Sequence, residues 1–200
     1  MKKITVALIG AGQRGYNYAE YALQNPYEMQ ITAVAEPTAA RREAFRERHG
    51  LPEDRAFAHW DELFAGPKLA DAVMICTQDR QHFEPTMRAL EAGYHVLLEK
   101  PMSSSPEECL AMGDMAARMN RVFSICHVLR YTNFFSTIKG LLDQGAIGKL
   151  MSITHNENVG YWHQAHSFVR GNWRRKDESS PMILAKSCHD LDILLWLAGS

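Results

Sequence analysis

The 200-residue sequence predicts an α/β protein with a doubly wound parallel sheet, followed by the beginning of a second domain. Short apolar runs rich in β-branched residues alternate with helical stretches of about 10 to 15 residues. Strands in this rhythm pair in parallel through right-handed crossovers, and the helices cover both faces of the sheet. After about residue 128 the alternation stops. We therefore expect a first domain at residues 1–125 and a second, incomplete one at 126–200.

The predicted elements of the first domain follow in order. The first strand leads into a glycine-rich turn and a helix that runs to about Gln24. The strands are expected at 3–9, 29–36, 71–77, 94–100 and 121–128. The remaining helices are expected at 38–50, 80–93 and 105–120, two of them closed by a glycine.

The second domain is predicted from weaker patterns. Residues 133–148 are typical of a helix, and residues 149–160 of a half-polar strand. Ser187 and Asp190 fit a capping box before the last helix, which Gly199 can end. One strand and two helices are too few to close a core. We therefore expect the natural protein to continue past Ser200.

Composition excludes several classes of function. The chain is 46% apolar and 22% charged, with a net charge of −1, which is typical of a soluble globular protein and not of a nucleic-acid or anionic-membrane binder. Its four cysteines form no C-x-x-C pair, which favours reduced thiols and a cytoplasmic location. No stretch approaches the roughly 20 apolar residues that span a bilayer.

The turn after the first strand has the spacing G-x-G-x-x-G, with glycines at 10, 12 and 15. In a strand–turn–helix context these glycines allow a tight turn, close approach of a pyrophosphate and close helix packing. Glu36 ends the next strand, where a carboxylate accepts hydrogen bonds from ribose hydroxyls and repels a 2′-phosphate. We therefore expect NAD, with NADP possible because of Arg41 and Arg42. The alternative is a purely structural turn in another doubly wound protein.

Glu99-Lys100-Pro101 stands at the carboxyl end of the fourth predicted strand. Ligands of open α/β sheets bind at such strand ends, and a proline keeps the preceding residue out of the helical region. Lys100 is thus a candidate hydrogen-bond donor or acid/base group. A surface lysine paired with Glu99 is an equally acceptable interpretation.

Together these segments resemble the Gfo/Idh/MocA family of NAD(P)-dependent oxidoreductases. The resemblance rests on GAGQRG, on residues 76–101 ending in Glu-Lys-Pro, on LRY at 129–131, on GNWR at 171–174, and on His189 and Asp192 as an H-x-x-D motif. It implies a Rossmann domain followed by an α/β domain with a large, open, mostly antiparallel sheet. It also implies a homo-oligomer that reversibly oxidises a secondary alcohol of a sugar or polyol.

The resemblance also implies site residues. Lys100 and His189 are the expected catalytic pair, with His189 as proton acceptor; the N-terminus of the last helix favours its neutral ring. The expected cofactor-binding residues are Gly10, Gly12, Gln13, Arg14, Gly15, Glu36, Thr77, His82, Glu99 and Lys100. The expected substrate-binding residues are Arg130, Trp173, Lys186 and Asp192. No metal site is expected, because no ligand cluster has suitable spacing along the chain.

The chain departs from the family pattern at two places. Gln78-Asp79 replaces the usual Pro-Asn, and Ala185 stands where inositol dehydrogenases carry an aspartate, with Lys186 next to it. The usual Lys/Asp/His triad is therefore incomplete. Two alternatives stay open, an NAD-dependent glycosidase that oxidises its substrate transiently and a dinucleotide-binding regulator without turnover.

Overall fold

The structure, a computed structural model, describes residues 2–175, 177 and 179–199. The chain divides into two compact units, Met1–Ile125 and Cys126–Ser200. Each unit is described here by itself.

The first unit is built on a six-stranded parallel sheet, which confirms the predicted fold class. The strand order is β3-β2-β1-β4-β5-β6. The strands are β1 Ile4–Ile9, β2 Met29–Ala35, β3 Ala56–Phe57, β4 Ala72–Ile75, β5 His95–Leu98 and β6 Phe123–Ile125. The chain winds outward from β1 to β3, then returns to the other side of β1 for β4. The carboxyl ends of β1 and β4 therefore flank the switch point, where ligands of such sheets bind.

Five helices cover the two faces of this sheet. They are α1 Gln13–Gln24, α2 Ala39–His49, α3 Trp60–Phe64, α4 Phe83–Glu91 and α5 Pro106–Arg118. On one face Ala7, Ile9, Val73 and Ile75 pack with residues of α3, α4 and α5. On the other face Val6, Leu8 and Val34 pack with Ala19 and Ala22 of α1 and Phe45 of α2. Alternate residues of one strand thus enter two different cores, which is why the strands are apolar throughout.

Local sequence accounts for where these helices begin and end. Gly50 ends α2 in the left-handed conformation (φ 62°), and its N–H is donated to the Arg46 and Glu47 carbonyls. At the start of α5 the Ser105 hydroxyl accepts a hydrogen bond from the Glu108 N–H, with proline at the first helical position. The sequence did not predict the two-residue β3 or the five-residue α3, because both are too short to show a period.

The second unit consists of helices and coil among its described residues. They are α6 Asn133–Asp143, α7 Tyr161–His163 with a π-helical continuation at Gln164–Val169, α8 Met182–Ala185 and α9 Cys188–Ala198. The predicted strand at 149–160 is wrong, since this segment is coil. A strand needs a partner to bond its N–H and C=O groups, and the described part of this unit contains none.

Helix α9 begins at Cys188, but not through the predicted capping box. Ser187 has φ −81° and ψ 0°, and its side chain makes no capping hydrogen bond. A serine caps from an extended conformation, which this backbone does not have. The predicted end is confirmed, because Gly199 is left-handed (φ 97°) and its N–H bonds the Leu195 and Trp196 carbonyls. Among the described helices, none has both the length and the apolar character that a bilayer crossing requires.

Candidate functional site

The glycine loop after β1 is set by two close backbone contacts. Gly10 has φ +90°, and a Cβ added there would lie 2.6 Å from the Cys76 carbonyl oxygen at the end of β4. A Cβ added to Gly15 would lie 2.2 Å from the Gly10 carbonyl oxygen and 3.1 Å from Leu8 Cδ2. Gly10 therefore permits the turn beside β4, and Gly15 permits α1 to rest on the turn.

Gly12, between them, faces open space. No heavy atom of the described residues lies within 4 Å of a Cβ built on it. It is also the N-cap of α1, where no described side chain caps the helix and no acidic residue lies in the first turn. Gln13 and Arg14 are exposed there. The free N–H donors, the helix dipole and the open approach fit the pyrophosphate of a dinucleotide.

Glu36 lies at the carboxyl end of β2 and is buried, with only 4% of its surface exposed. Its Oε2 accepts a hydrogen bond from the Ala11 N–H and its Oε1 accepts one from the Thr38 N–H, both at 2.9 Å. Arg42 donates to the Glu36 carbonyl oxygen at 2.6 Å. Each carboxylate oxygen keeps a second lone pair, so the group can still accept from ribose hydroxyls. The carboxylate thus holds the glycine loop and keeps lone pairs for a further hydrogen-bond donor.

The Glu99-Lys100-Pro101 turn lies at the carboxyl end of β5 and is tied to α1. The Tyr18 hydroxyl donates to Glu99 Oε1 at 2.5 Å, and the Lys100 N–H donates to Glu99 Oε2 at 2.7 Å. Glu99 is 6% exposed, so leaving its oxygens without these donors would be costly. Glu99 therefore fixes the backbone of Lys100, and Tyr18 fixes Glu99.

His82 supports the same turn from the other side. It is fully buried, with Nδ1 2.8 Å from the Pro101 carbonyl oxygen and Nε2 3.3 Å from the Thr77 carbonyl oxygen. A neutral ring has one N–H, and the shorter contact assigns it to Nδ1. The Thr77 hydroxyl donates to the Gln81 carbonyl oxygen at 3.2 Å. His82 thus donates from Nδ1 to the Pro101 carbonyl oxygen and supports this end of the sheet there, while its Nε2 lies near the Thr77 carbonyl oxygen without donating to it.

In the second unit two of the predicted substrate-binding residues bind each other. Arg130 Nε and Nη2 donate to the two carboxylate oxygens of Asp192 at 2.8 and 2.6 Å. The hydrogen bond to Asp192 raises the pKa of the Arg130 guanidinium above its usual value. The Arg130 guanidinium also stacks over Trp196, 5.7 Å from its centroid. This bidentate pair joins the turn at Val128–Tyr131 to α9.

His189, in the first turn of α9, is half-buried beside a second imidazole. The rings of His127 and His189 have centroids 6.0 Å apart at an interplanar angle of 82°. His127 Nδ1 also lies 4.0 Å from Asp192 Oδ2. Sequence reasoning did not select His127, which lies outside every motif.

The remaining predicted residues of this unit have other neighbours. Lys186 Nζ lies 2.6 Å from Glu157 Oε1, and His155 Nε2 lies 2.8 Å from Asp190 Oδ1. Ala185 is buried at 2% exposure, and its methyl side chain supplies no carboxylate at that position. The half-buried Trp173 donates its backbone N–H to the Ser167 carbonyl oxygen at 3.2 Å.

The predicted cofactor residues thus gather where the first sheet's strands end. The glycine loop follows β1, Glu36 follows β2, Thr77 follows β4, and Glu99 with Lys100 follows β5. Sequence reasoning missed Tyr18 and the Ala11 N–H. Nothing near Tyr18 in the sequence signals its contact, because Glu99 is 81 positions away.

Comparison with known proteins matches both parts of the chain. The profile of an oxidoreductase family with an NAD-binding Rossmann fold matches residues 4–127, and the profile of that family's C-terminal alpha/beta domain matches residues 139–200. Inositol 2-dehydrogenase of Corynebacterium glutamicum is 26% identical over 203 residues, covering all of this chain and 55% of the relative.

Two solved structures extend the likeness to three dimensions. An NAD-binding protein from Listeria innocua is 30% identical with a TM-score of 0.77, covering 100% of this chain and 56% of that one. Scyllo-inositol dehydrogenase from Lactobacillus casei, with bound NAD(H) and scyllo-inositol, is 25% identical with a TM-score of 0.83, covering 99% and 57%. The chain spans about half the length of the curated relatives it matches.

Proposed function

We propose that the protein reversibly oxidises a secondary alcohol of a sugar or polyol, because the chain belongs to the Gfo/Idh/MocA oxidoreductase family. The observation that carries the proposal is the geometry of the first unit. An open glycine loop at the helix N-terminus and the Glu99-Lys100-Pro101 turn occur at the same edge of one sheet. The names of the inositol dehydrogenases among its relatives support a polyol as substrate.

A bound nicotinamide cofactor supplies the hydride acceptor for this reaction. The N–H groups of the loop and of the first turn of α1 hold the pyrophosphate, with Gln13 and Arg14 beside them. The Glu36 carboxylate accepts from the adenosine ribose, and its charge repels a 2′-phosphate, so NAD is preferred to NADP. Arg42 Nη1 donates to the Glu36 carbonyl oxygen.

Lys100 and His189 perform the proton chemistry in this proposal. His189 accepts the hydroxyl proton, and Lys100 donates a hydrogen bond to the same oxygen as negative charge develops on it. Lys100 is suited to this part because its backbone is fixed by Glu99 and because Pro101 beside it is held by His82. Trp173, Lys186, Arg130 and Asp192 complete the expected substrate surface, the last two as a pair.

The test is a screen of polyols and sugars for NADH formation by the purified protein. Lys100→Met and His189→Ala are each expected to reduce kcat at least about a hundredfold, the lower end for one acid/base group. Lys3→Met and His59→Ala, at exposed positions of the first unit, serve as matched controls with normal turnover. Near-normal turnover in either site variant contradicts the role given to that residue.

The same screen separates the alternatives. Glycoside cleavage without net NADH identifies the glycosidase hypothesis, and tight NAD binding without any product identifies the regulator. A cytoplasmic homo-oligomer is part of the proposal. Light scattering of the purified protein tests its oligomeric state. The four cysteines, which form no C-x-x-C pair, are consistent with a reducing compartment.

A further inference from the structure

The second unit contains a cluster of metal-ligating side chains that no motif predicted. His155 and Glu157 come from the coil between α6 and α7, and Asp190 from the first turn of α9. One ligand-capable atom of each lies within 4.8 Å of the other two. His155 Nε2 is already 2.8 Å from Asp190 Oδ1. One imidazole nitrogen and two carboxylates therefore converge within the span of a single coordination sphere.

Asp190 gives a second, independent indication that the cluster takes a ligand. The residue is only 8% exposed, and its Oδ2 has no hydrogen-bond partner among the described residues. A buried carboxylate oxygen without a donor or a cation is costly. His155 bonds only Oδ1 of Asp190. The unsatisfied oxygen, Oδ2, therefore belongs to a residue of the cluster itself.

The charges of the cluster favour a cation. With His155 neutral, the carboxylates of Glu157 and Asp190 and the ammonium of Lys186 sum to −1. Lys186 Nζ lies 2.6 Å from Glu157 Oε1 and both side chains are partly exposed. Lys186 thus acts as the counterion of Glu157. A divalent ion would replace the ammonium as the counterion of Glu157, and the long lysine side chain would turn toward solvent.

We propose that His155, Glu157 and Asp190 bind one divalent transition-metal ion. An imidazole with two carboxylates suits Zn²⁺, Co²⁺ or Mn²⁺, whereas Ca²⁺ prefers six to eight oxygens and Mg²⁺ mostly water and carboxylates. Three protein ligands leave at least one coordination position open, and the partial exposure of Glu157 gives access to it. The proposal does not depend on the dehydrogenase activity, because it rests only on the contacts, burial and charges of this cluster.

The test is a titration of the untagged, chelator-treated protein with Co²⁺, followed by visible absorption, and with Zn²⁺, followed by calorimetry. One saturable equivalent is expected. His155→Ala and Asp190→Asn should each weaken binding at least about tenfold, as is typical even for supporting residues of metal sites. Lys186→Met should strengthen it, because the competing ammonium is removed. His163→Ala, an exposed histidine of the same unit, is the matched control and should bind like the unmodified protein.

Two results would overturn the proposal. One is the absence of saturable binding in both the unmodified protein and Lys186→Met. The other is unchanged affinity in both His155→Ala and Asp190→Asn, with circular dichroism showing that they fold. If those two variants do not fold, Lys186→Met decides, since equal or weaker binding than in the unmodified protein contradicts the cluster as the site. Turnover is not measured, so failure of the proposed dehydrogenase function leaves this result intact.

Discussion

Replacing Gly15 with alanine tests the packing of α1 on the glycine loop. The new Cβ would lie 2.2 Å from the Gly10 carbonyl oxygen, whereas real Cβ atoms essentially never approach closer than 3.0 Å. At least 0.8 Å, the difference between these two distances, must be recovered. The obstructing atom belongs to the backbone, and Gly10 is itself confined by the Cys76 carbonyl oxygen. The strain therefore falls on the helix start, which has to move away from β1.

Two opposing terms determine the size of the effect. Overpacking of a well-packed site costs about 1 to 3 kcal/mol. Alanine in a helix is favoured over glycine by about 0.5 to 1 kcal/mol. Because the clash is with backbone atoms, we place the overpacking cost at the upper end of its range. We expect Gly15→Ala to lower the free energy of unfolding by about 2 kcal/mol.

Urea unfolding followed by circular dichroism measures this change, and the m-value checks that the unfolded surface is the same. Gly113→Ala is the matched control, because Gly113 is also within a helix but is exposed, with no described atom within 4 Å of an added Cβ. It should raise the free energy of unfolding by about 0.5 to 1 kcal/mol. The reasoning is refuted if Gly15→Ala is as stable as the unmodified protein, or if Gly15→Ala and Gly113→Ala lower the free energy of unfolding by the same amount.

Three further predictions concern buried polar groups. Tyr18→Phe removes a donor from the buried Glu99 carboxylate, and denaturant unfolding should show a loss of about 1 to 3 kcal/mol. Burial lowers the pKa of His49 from its usual value, so the stability from its neutral ring is complete above about pH 6.5 and is lost as pH falls through the folded value. Unfolding curves between pH 7.5 and 5 should show that loss, and His49→Gln should reduce the dependence of stability on pH. A double-mutant cycle of Arg130→Ala and Asp192→Asn should give a coupling free energy of about 1 to 2 kcal/mol.

Each of these expectations has a contradicting outcome. Tyr27→Phe is the control for Tyr18, because Tyr27 is 88% exposed and should show no change. Equal effects at the two tyrosines would remove the Glu99 explanation. An unchanged pH slope in His49→Gln would assign the acid sensitivity to other groups. Additive losses in the cycle would mean that Arg130 and Asp192 act independently.

The first unit was largely predictable because its signals are local. Each strand is a continuous apolar run, and the turns of the candidate cofactor site carry glycine or proline. The strands were still placed too long at their ends, as for 94–100 against His95–Leu98. Apolar sequence marks a buried segment, whereas the strand ends where the ladder of hydrogen bonds ends.

The second unit was less predictable because its organisation depends on partners distant in the chain. The half-polar pattern at 149–160 indicates a strand only if another strand pairs with it. Arg130 and Asp192 were selected by resemblance, but their mutual bidentate contact spans 62 positions. His155 and Asp190 meet across 35 positions, so no spacing rule for metal ligands detects them.

The two hydrogen bonds that Glu36 accepts from backbone N–H groups restrict how cofactor preference can change. Exchanging this acid for a neutral residue is the direct route to a phosphate-bearing dinucleotide. Here the same exchange would take the acceptor from at least one of the Ala11 and Thr38 N–H groups and loosen the glycine loop. We therefore expect an efficient switch to combine two substitutions, one that admits the phosphate and one that restores the loop. A single substitution at Glu36 is therefore expected to cost loop stability whichever nucleotide it comes to favour.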